Sequence, residues 1–190
     1  MIKKEDILPW WAGKRPFRAQ QSWDSWELPH RQTIPLALQT TGVKSVYEIG
    51  CGAGPNLRLV QAKCPDIEIG GMDPHPGETA FASEHLGVPI ETGHCPVTID
   101  PKWEAVLSCY TLANVFPENV REQLKSIPTH WLILLEPSGL DEFFQPMEPD
   151  VAPRWHYNWS KMTSETGWAL KFHWPIEPRD GLNTLEIYYR

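Results

Sequence analysis

Short apolar runs alternate with mixed polar and apolar segments from residue 45 onward. Apolar runs bounded by Gly, Pro or Asp are typical of buried strands. They predict strands at residues 45–49, 67–73, 89–92, 104–109 and 131–135. The mixed segments predict helices at residues 56–63, 78–86 and 155–166, and two closing strands follow at residues 168–175 and 182–189. Strands that alternate with helices in this way predict a mainly parallel sheet covered on both faces.

A glycine-rich turn follows the first predicted strand. Residues 45–54 read Ser-Val-Tyr-Glu-Ile-Gly-Cys-Gly-Ala-Gly. Glycine suits a turn that holds a nucleotide-like ligand, because the ligand approaches bare backbone and the turn needs φ angles that other residues resist. A dinucleotide fingerprint has its third glycine five residues after the first, where this chain has Pro55. The spacing therefore disfavours a nicotinamide-dependent oxidoreductase.

The Glu-x-Gly-x-Gly-x-Gly pattern of residues 48–54 resembles the first motif of the class I S-adenosylmethionine-dependent methyltransferases. The likeness covers about residues 40–190. It implies a doubly wound α/β fold whose mainly parallel, seven-stranded sheet takes its last strand antiparallel between the fifth and the sixth. It also implies S-adenosylmethionine as the cofactor. In the family, the acidic residue of this motif serves the ammonium end of the cofactor, and Glu48 occupies that position.

The resemblance assigns further cofactor contacts at the ends of the next strands. Asp73 lies 19 residues past Gly54, where a Rossmann-like unit places a carboxylate on ribose hydroxyls, although Asp-Pro also favours a helix N-cap. In the family an acid after the third strand bonds the adenine amino group. His94 stands there, and a neutral imidazole can accept the same bond. The expected cofactor-binding residues are Glu48, Gly50, Cys51, Gly52, Gly54, Asn56, Asp73, Pro74, His94, Cys95, Cys109 and Tyr110.

Tryptophan is unusually frequent, and eight of the ten lie in two clusters, at residues 10–26 and 155–174. Aromatic faces attract cations and exclude water, which suits a sulfonium reaction, but core packing also explains each single tryptophan. Small members of the family commonly fold an N-terminal segment over the cofactor. We therefore expect residues 1–40 to form an aromatic lid on a core of residues 41–190. The expected substrate-binding residues are Trp11, Trp23, Trp26, His30, Glu136 and Trp155, and the candidate catalytic residues are Tyr110 and His156.

Charge and cysteine content narrow the class of protein further. The net charge of -7 argues against a nucleic-acid binder, and no apolar run approaches the roughly 20 residues that cross a bilayer. The four cysteines include no Cys-x-x-Cys pair, so we expect reduced, buried cysteines in a cytoplasmic protein. We expect no metal ion, although a zinc site of cysteines with His94 is an alternative.

Taken together, these residues predict a methyltransferase that moves the methyl group in line from S-adenosylmethionine to a small-molecule acceptor. Two alternatives stay open. One is a catalytically inactive module that keeps the fold for binding. The other is a protein or RNA methyltransferase that works with a partner chain.

Overall fold

The computed structural model describes residues 18–145, 154–176 and 183–190. Its strands are β1 (Ser45–Ile49), β2 (Glu68–Asp73), β3 (Ile90–Thr92), β4 (Ala105–Cys109), β5 (Trp131–Pro137), β6 (Phe143–Gln145), β7 (Arg154–His156), β8 (Ala169–Ile176) and β9 (Asn183–Tyr189). Its α-helices are α1 (Ala19–Asp24), α2 (Thr33–Thr41), α3 (Pro55–Lys63), α4 (Pro76–Leu86), α5 (Pro117–Ser126) and α6 (Trp159–Glu165). Short 3₁₀ turns lie at Ser25–Glu27, Pro29–Gln32 and Leu112–Asn114.

Seven strands form one sheet in the order β3-β2-β1-β4-β5-β9-β8. The pairs from β3 to β5 are parallel, whereas β9 runs antiparallel to both β5 and β8. The predicted sheet, with its antiparallel strand between the fifth and the sixth, is confirmed. The strand order reverses between β1 and β4, and open α/β sheets bind ligands beside the carboxyl ends of the strands at such a point.

Two apolar cores cover the two faces of the sheet. Helices α2, α3 and α4 contribute buried residues such as Leu38, Leu57 and Leu86 to one core. Helices α5 and α6 contribute Leu124 and Trp159 to the other. Every residue of β1 and of β4 is buried, which explains why these strands have continuous apolar sequences rather than alternating ones.

The segment before β1 packs against the helices of the first core. Ile34 and Leu38 on α2 are fully buried with residues of α3 and the sheet. Upstream, α1 and the turn at Ser25–Glu27 contact α3. The predicted lid spans residues 1–40, and its first 17 residues, Trp11 among them, lie outside the described residues.

The predicted helix at residues 155–166 is wrong over its first four residues. Residues 154–156 instead form β7, which pairs antiparallel with β6 in a separate two-stranded sheet. Trp155 and Tyr157 are buried, and His156 between them is only partly buried, the alternation of a strand. Helix α6 begins after Asn158, whose side chain accepts a hydrogen bond from the Lys161 backbone N–H at 2.9 Å.

None of the described helices combines the length and the apolar character that a membrane span requires.

Candidate functional site

A cavity of about 250 Å³ lies at the carboxyl ends of β1, β2 and β4. Ten of the twelve residues expected to bind the cofactor line it: Gly50, Cys51, Gly52, Asn56, Asp73, Pro74, His94, Cys95, Cys109 and Tyr110. The parallel strands bring these residues together, because their carboxyl ends meet at one edge of the sheet. The volume is just below the roughly 300–1,000 Å³ of typical small-molecule sites.

The glycine-rich turn after β1 forms one wall of the cavity. Gly52 has a φ of +55°, and a Cβ there would point between Glu78 Oε2 at 2.9 Å and Ser22 Oγ at 3.9 Å, two cavity residues. Gly50 has a φ of +72°, and a Cβ there would come within 2.0 Å of the Thr111 side chain. Gly50 therefore lets the turn after β4 pack closely, and Gly52 leaves space for a ligand.

Gly54 does not line the cavity. A Cβ at this position would meet Leu86 on α4 at 2.9 Å, so the residue allows α3 and α4 to pack beneath the turn. Its place in the motif is explained by helix packing rather than by a contact with a ligand.

Glu48 lies on β1 and is fully buried. It is not among the residues that line the cavity, but Asn56, which contacts it, is. Its Oε1 accepts a hydrogen bond from Asn56 Nδ2 at 2.5 Å, and Arg31 Nη1 donates to Asn56 Oδ1. Its Oε2 has no hydrogen-bond partner among the described residues. Burial raises the pKa of Glu48 to about 7, against the effects of Asn56 and Arg31. An unpartnered carboxylate oxygen in such a place favours a ligand that donates a hydrogen bond and carries positive charge.

Asp73 ends β2 at the wall of the cavity. Its Oδ2 accepts from the Gly52 backbone N–H at 2.9 Å, and its Oδ1 accepts from the His75 backbone N–H at 2.8 Å. The alternative reading as a helix N-cap is wrong, because His75 is the N-cap of α4 and its Nδ1 accepts from Glu78 N. A carboxylate can accept about four hydrogen bonds, so the two backbone donors do not exclude a ribose diol.

Tyr110 projects from the turn after β4 and has a φ of +55°, a value rare outside glycine. Its backbone N–H donates to Leu135 O at 3.0 Å, and Asn114 Nδ2 donates to its carbonyl at 2.9 Å. Burial raises the pKa of the phenol to about 12. At neutral pH this group is therefore a protonated hydrogen-bonding group rather than a base.

Glu136, which was expected to orient a substrate, is not among the residues that line the cavity. The side chain is fully buried on β5. Its Oε1 accepts from Ser108 Oγ at 2.6 Å and from the backbone N–H groups of Thr111 and Leu112 at 2.8 and 3.0 Å. Its Oε2 accepts from the Ala113 N–H at 3.3 Å. Glu136 thus accepts hydrogen bonds from the backbone N–H groups of the turn that carries Tyr110.

Of the other predicted substrate residues, His30 contacts a residue of the cavity lining. Its ring meets the ring of Tyr110 edge-on, with centroids 5.5 Å apart. Trp23 and Trp26 instead flank the guanidinium of Arg58 on α3. They are not part of the cavity lining.

Trp155 and the candidate catalytic residue His156 belong to the β6–β7 hairpin and do not line the cavity either. Trp155 is buried against Phe144. His156 stacks on Phe143 and hydrogen-bonds Gln145 through Nε2 at 2.8 Å. Burial lowers the pKa of His156, so it is neutral at physiological pH.

Nine lining residues were missed by the sequence prediction: Ser22, Arg31, Ile49, Pro55, Met72, Glu78, Thr111, Asn114 and Val115. Ile49, Pro55, Met72 and Thr111 directly neighbour residues that were predicted, so proximity along the chain was an available signal. Ser22 and Arg31 likewise neighbour Trp23 and His30, which were predicted to bind the substrate rather than the cofactor.

Three of the four cysteines, Cys51, Cys95 and Cys109, line the cavity. All four cysteines are free and buried. Burial raises the pKa of Cys95 and of Cys109 to about 12 and also raises that of Cys51. Across the described ranges, no group of three or more His, Cys, Asp or Glu side chains could hold a metal ion.

The strand order, the antiparallel β9 and the strand-end cavity define the class I S-adenosylmethionine-dependent methyltransferase fold. Solved structures of this class are similar to the whole chain. Magnesium protoporphyrin IX methyltransferase (ChlM) from Synechocystis PCC 6803 with bound SAH is 13% identical with a TM-score of 0.70, covering 99% of this chain and 100% of that one. A SAM-dependent methyltransferase from Leishmania major is 14% identical with a TM-score of 0.69, covering 98% and 82%.

A third similar structure is the mitomycin 7-O-methyltransferase MmcR, at 16% identity and a TM-score of 0.67. The match covers 87% of this chain, which spans about half (54%) of that protein. No protein-family model and no curated protein sequence matches the chain. At these identities the similarity shows the fold, and the activity has to be argued from the site.

Proposed function

We propose that this chain is a methyltransferase that binds S-adenosylmethionine and methylates a small-molecule acceptor. The observation that carries the proposal is Glu48, a buried carboxylate whose free oxygen lies beneath a glycine turn at the switch point of the sheet. The α-ammonium group of the cofactor is a cationic donor of the kind that this oxygen lacks. The ligands and small-molecule acceptors in the names of proteins with this fold support the same choice.

The remaining cavity residues fit the other parts of the cofactor. Asp73 on β2 would accept from the ribose hydroxyls, and His94 beyond β3, which also lines the cavity, would contact the adenine ring. Cys109 and Tyr110 at the end of β4 would border the reacting end. When bound, the cofactor supplies an electrophilic methyl group, and these residues hold it in line with the acceptor.

The acceptor would approach between Tyr110 and His30. An oxygen or nitrogen acceptor forms its bond to carbon and gives up a proton. The protonated phenol of Tyr110 can orient that acceptor by a hydrogen bond. The His30 ring beside it is the nearer candidate for the base, because His156 lies on the separate hairpin.

The test is to incubate the protein with methyl-labelled S-adenosylmethionine and a cell extract separated by molecular size. We expect the label in a compound of the small-molecule fraction, identified by its added methyl mass. Label confined to protein or RNA would overturn the small-molecule acceptor in favour of a macromolecular one. Binding of the cofactor without transfer in any fraction would overturn the enzymatic proposal.

That last outcome would favour the inactive binding module. One observation speaks for it: His94 stands where the family has an acid that bonds adenine. A cytoplasmic location is also part of the proposal, and the four free, buried cysteines support it.

A further inference from the structure

The N-terminal arm, residues 18–32, lies across α3 and reaches into the cavity. Ser22 and Arg31 of this arm are cavity residues. Arg31 also hydrogen-bonds Asn56 on α3, which in turn holds Glu48. The arm therefore supplies part of the candidate cofactor site, although it precedes the sheet in sequence.

Little in the arm itself holds it in place. Its elements are one helix of six residues and two 3₁₀ turns of three and four residues. Ala19 is the buried residue of α1, and neither 3₁₀ turn contains one. Helices this short are marginal without tertiary contacts, so the position of the arm depends on what it touches.

Arg58 on α3 makes the most extensive of these contacts. Its guanidinium carbon lies 4.7 Å from the ring centroid of Trp23 and 4.6 Å from that of Trp26. Its Nη1 donates to the Trp23 carbonyl at 3.3 Å and lies 3.7 Å from Asp24 Oδ1. One planar cation thus contacts two aromatic faces, a backbone acceptor and a carboxylate of the same arm.

The N-terminal arm contacts α3 on two sides. Asn56 and Arg58 are two residues apart, so they point to different sides of the helix. Arg31 holds Asn56 on the cavity side, and the two tryptophans hold Arg58 on the other side. The arm is clamped around the first turns of α3.

We propose that Arg58 is a positioning residue that anchors the N-terminal arm, so that Ser22 and Arg31 stay in the cavity and a bound cofactor leaves slowly. The proposal deepens the proposed function and rests on it for the cofactor. In this proposal Trp23 and Trp26 hold the arm against Arg58 and do not contact the substrate.

Trp23 has other neighbours that define the competing explanation. Its ring also contacts Phe81 and His85 on α4, at centroid distances of 6.0 and 5.3 Å. If these contacts alone hold the arm, Arg58 is dispensable.

The experiment compares Arg58→Met, which keeps an unbranched apolar stem but removes the guanidinium group, with Arg58→Lys, which keeps the charge but removes the planar group. The control is Arg121→Met on α5, a similarly exposed arginine paired with Glu142 and Glu165. Hydrogen exchange of residues 19–32 without ligand measures the anchoring. Stopped-flow measurement with S-adenosylhomocysteine as the probe separates its association rate from its dissociation rate.

We expect Arg58→Met to speed exchange across residues 19–32 and to raise the dissociation rate about ten-fold, with little change in the association rate. Arg58→Lys should recover part of both effects, and Arg121→Met should match the wild type. In the Arg58→Met background, Arg31→Met should add little to the dissociation rate, because the arm no longer holds Arg31 in place.

The proposal would be overturned if Arg58→Met showed the hydrogen exchange and the dissociation rate of the wild type. It would also be overturned if Arg58→Met and Arg121→Met had equal effects. If the wild-type protein does not bind S-adenosylhomocysteine, the proposed function fails. The exchange comparison needs no ligand, so it would still decide whether Arg58 anchors the arm.

Discussion

Glu48 couples the candidate site to pH. Its pKa is about 7 in the folded protein, and its ordinary value is 4.5. A cationic ligand stabilises only the ionised form, so at a pH below 7 binding has to release a proton. The pH dependence of folding stability has the opposite sign to that of ligand binding. The protonated, buried form contributes stability below about pH 4.5, and this contribution is lost as the pH rises to about 7.

We therefore predict that the affinity for S-adenosylhomocysteine rises by up to about ten-fold per pH unit below about pH 7 and levels off above it. Titration calorimetry in buffers between about pH 5.5 and pH 8 measures the profile. Glu48→Gln should bind more weakly at about pH 8 and show a flatter profile. Glu68→Gln, an exposed acid paired with Lys102, is the control. An unaltered slope in Glu48→Gln would assign the pH dependence to another group.

Asp73 is the residue that we expect to distinguish ribose from deoxyribose. Asp73→Ala should weaken S-adenosylhomocysteine by about 1.5–3 kcal/mol, the value of a hydrogen bond to a charged group. The mutation also frees the Gly52 N–H, so weaker binding alone does not prove a ribose contact. The decisive measurement compares S-adenosylhomocysteine with its 2′-deoxy analogue. Asp73→Ala should bind the two ligands with nearly equal affinity. The control is Asp66→Ala in an exposed turn, which should distinguish ribose from deoxyribose as the wild type does. If Asp73→Ala also keeps this discrimination, another residue contacts the ribose.

At the scale of elements, the glycine turn can be tested with a matched pair of mutations. Gly52 and Gly87 both have positive φ, but a Cβ at Gly52 would enter the cavity and one at Gly87 would meet nothing within 4 Å. Gly52→Ala and Gly87→Ala should each cost about 1 kcal/mol of folding stability through backbone strain. Gly52→Ala alone should weaken cofactor binding, by about ten-fold or more. Chemical denaturation and calorimetry separate the two effects, and equal binding by both variants would place the ligand elsewhere.

Elements built from local patterns were predictable, and contacts made over long distances in sequence were not. The strands around Glu48 and Asp73 follow from apolar runs and glycine spacing, which are local signals. Arg31 bonds a residue 25 positions away, and nothing in its own segment indicates this. Glu136 has the sequence context of a residue that faces a ligand. It turns inward because the backbone donors of residues 111–113 converge on it.

The β6–β7 hairpin shows a different limit. Its two strands are three residues each and pair with each other instead of joining the main sheet. Segments this short carry too little periodicity to separate a strand from the first turn of a helix. Asn158, an N-cap residue three positions before Lys161, was the local signal for the true start of α6.

At the scale of the whole molecule, the tryptophans that the structure describes range from core to surface. Trp159 is 1% exposed, and its Nε1 donates to Pro137 O at 2.9 Å, whereas Trp174 on β8 is 41% exposed. Trp159→Phe should therefore lower the free energy of unfolding by about 2–3 kcal/mol, through lost volume and an unpaired carbonyl. Trp174→Phe should change it by less than about 0.5 kcal/mol. Urea denaturation of both variants checks this, and comparable losses would mean that the edge strand is as tightly packed as the core.

The position of β9 has a consequence for biosynthesis. β8 reaches the sheet only through β9, and β9 is made after it. While the ribosome is still adding residues 177–189, β8 has no strand to pair with, and the β5 edge that β9 will cover is unprotected. The sheet therefore closes by inserting a late strand between two earlier ones. We expect nascent chains stalled before residue 183 to engage chaperones. Chains that carry all 190 residues clear of the ribosome on an appended linker should be released from them.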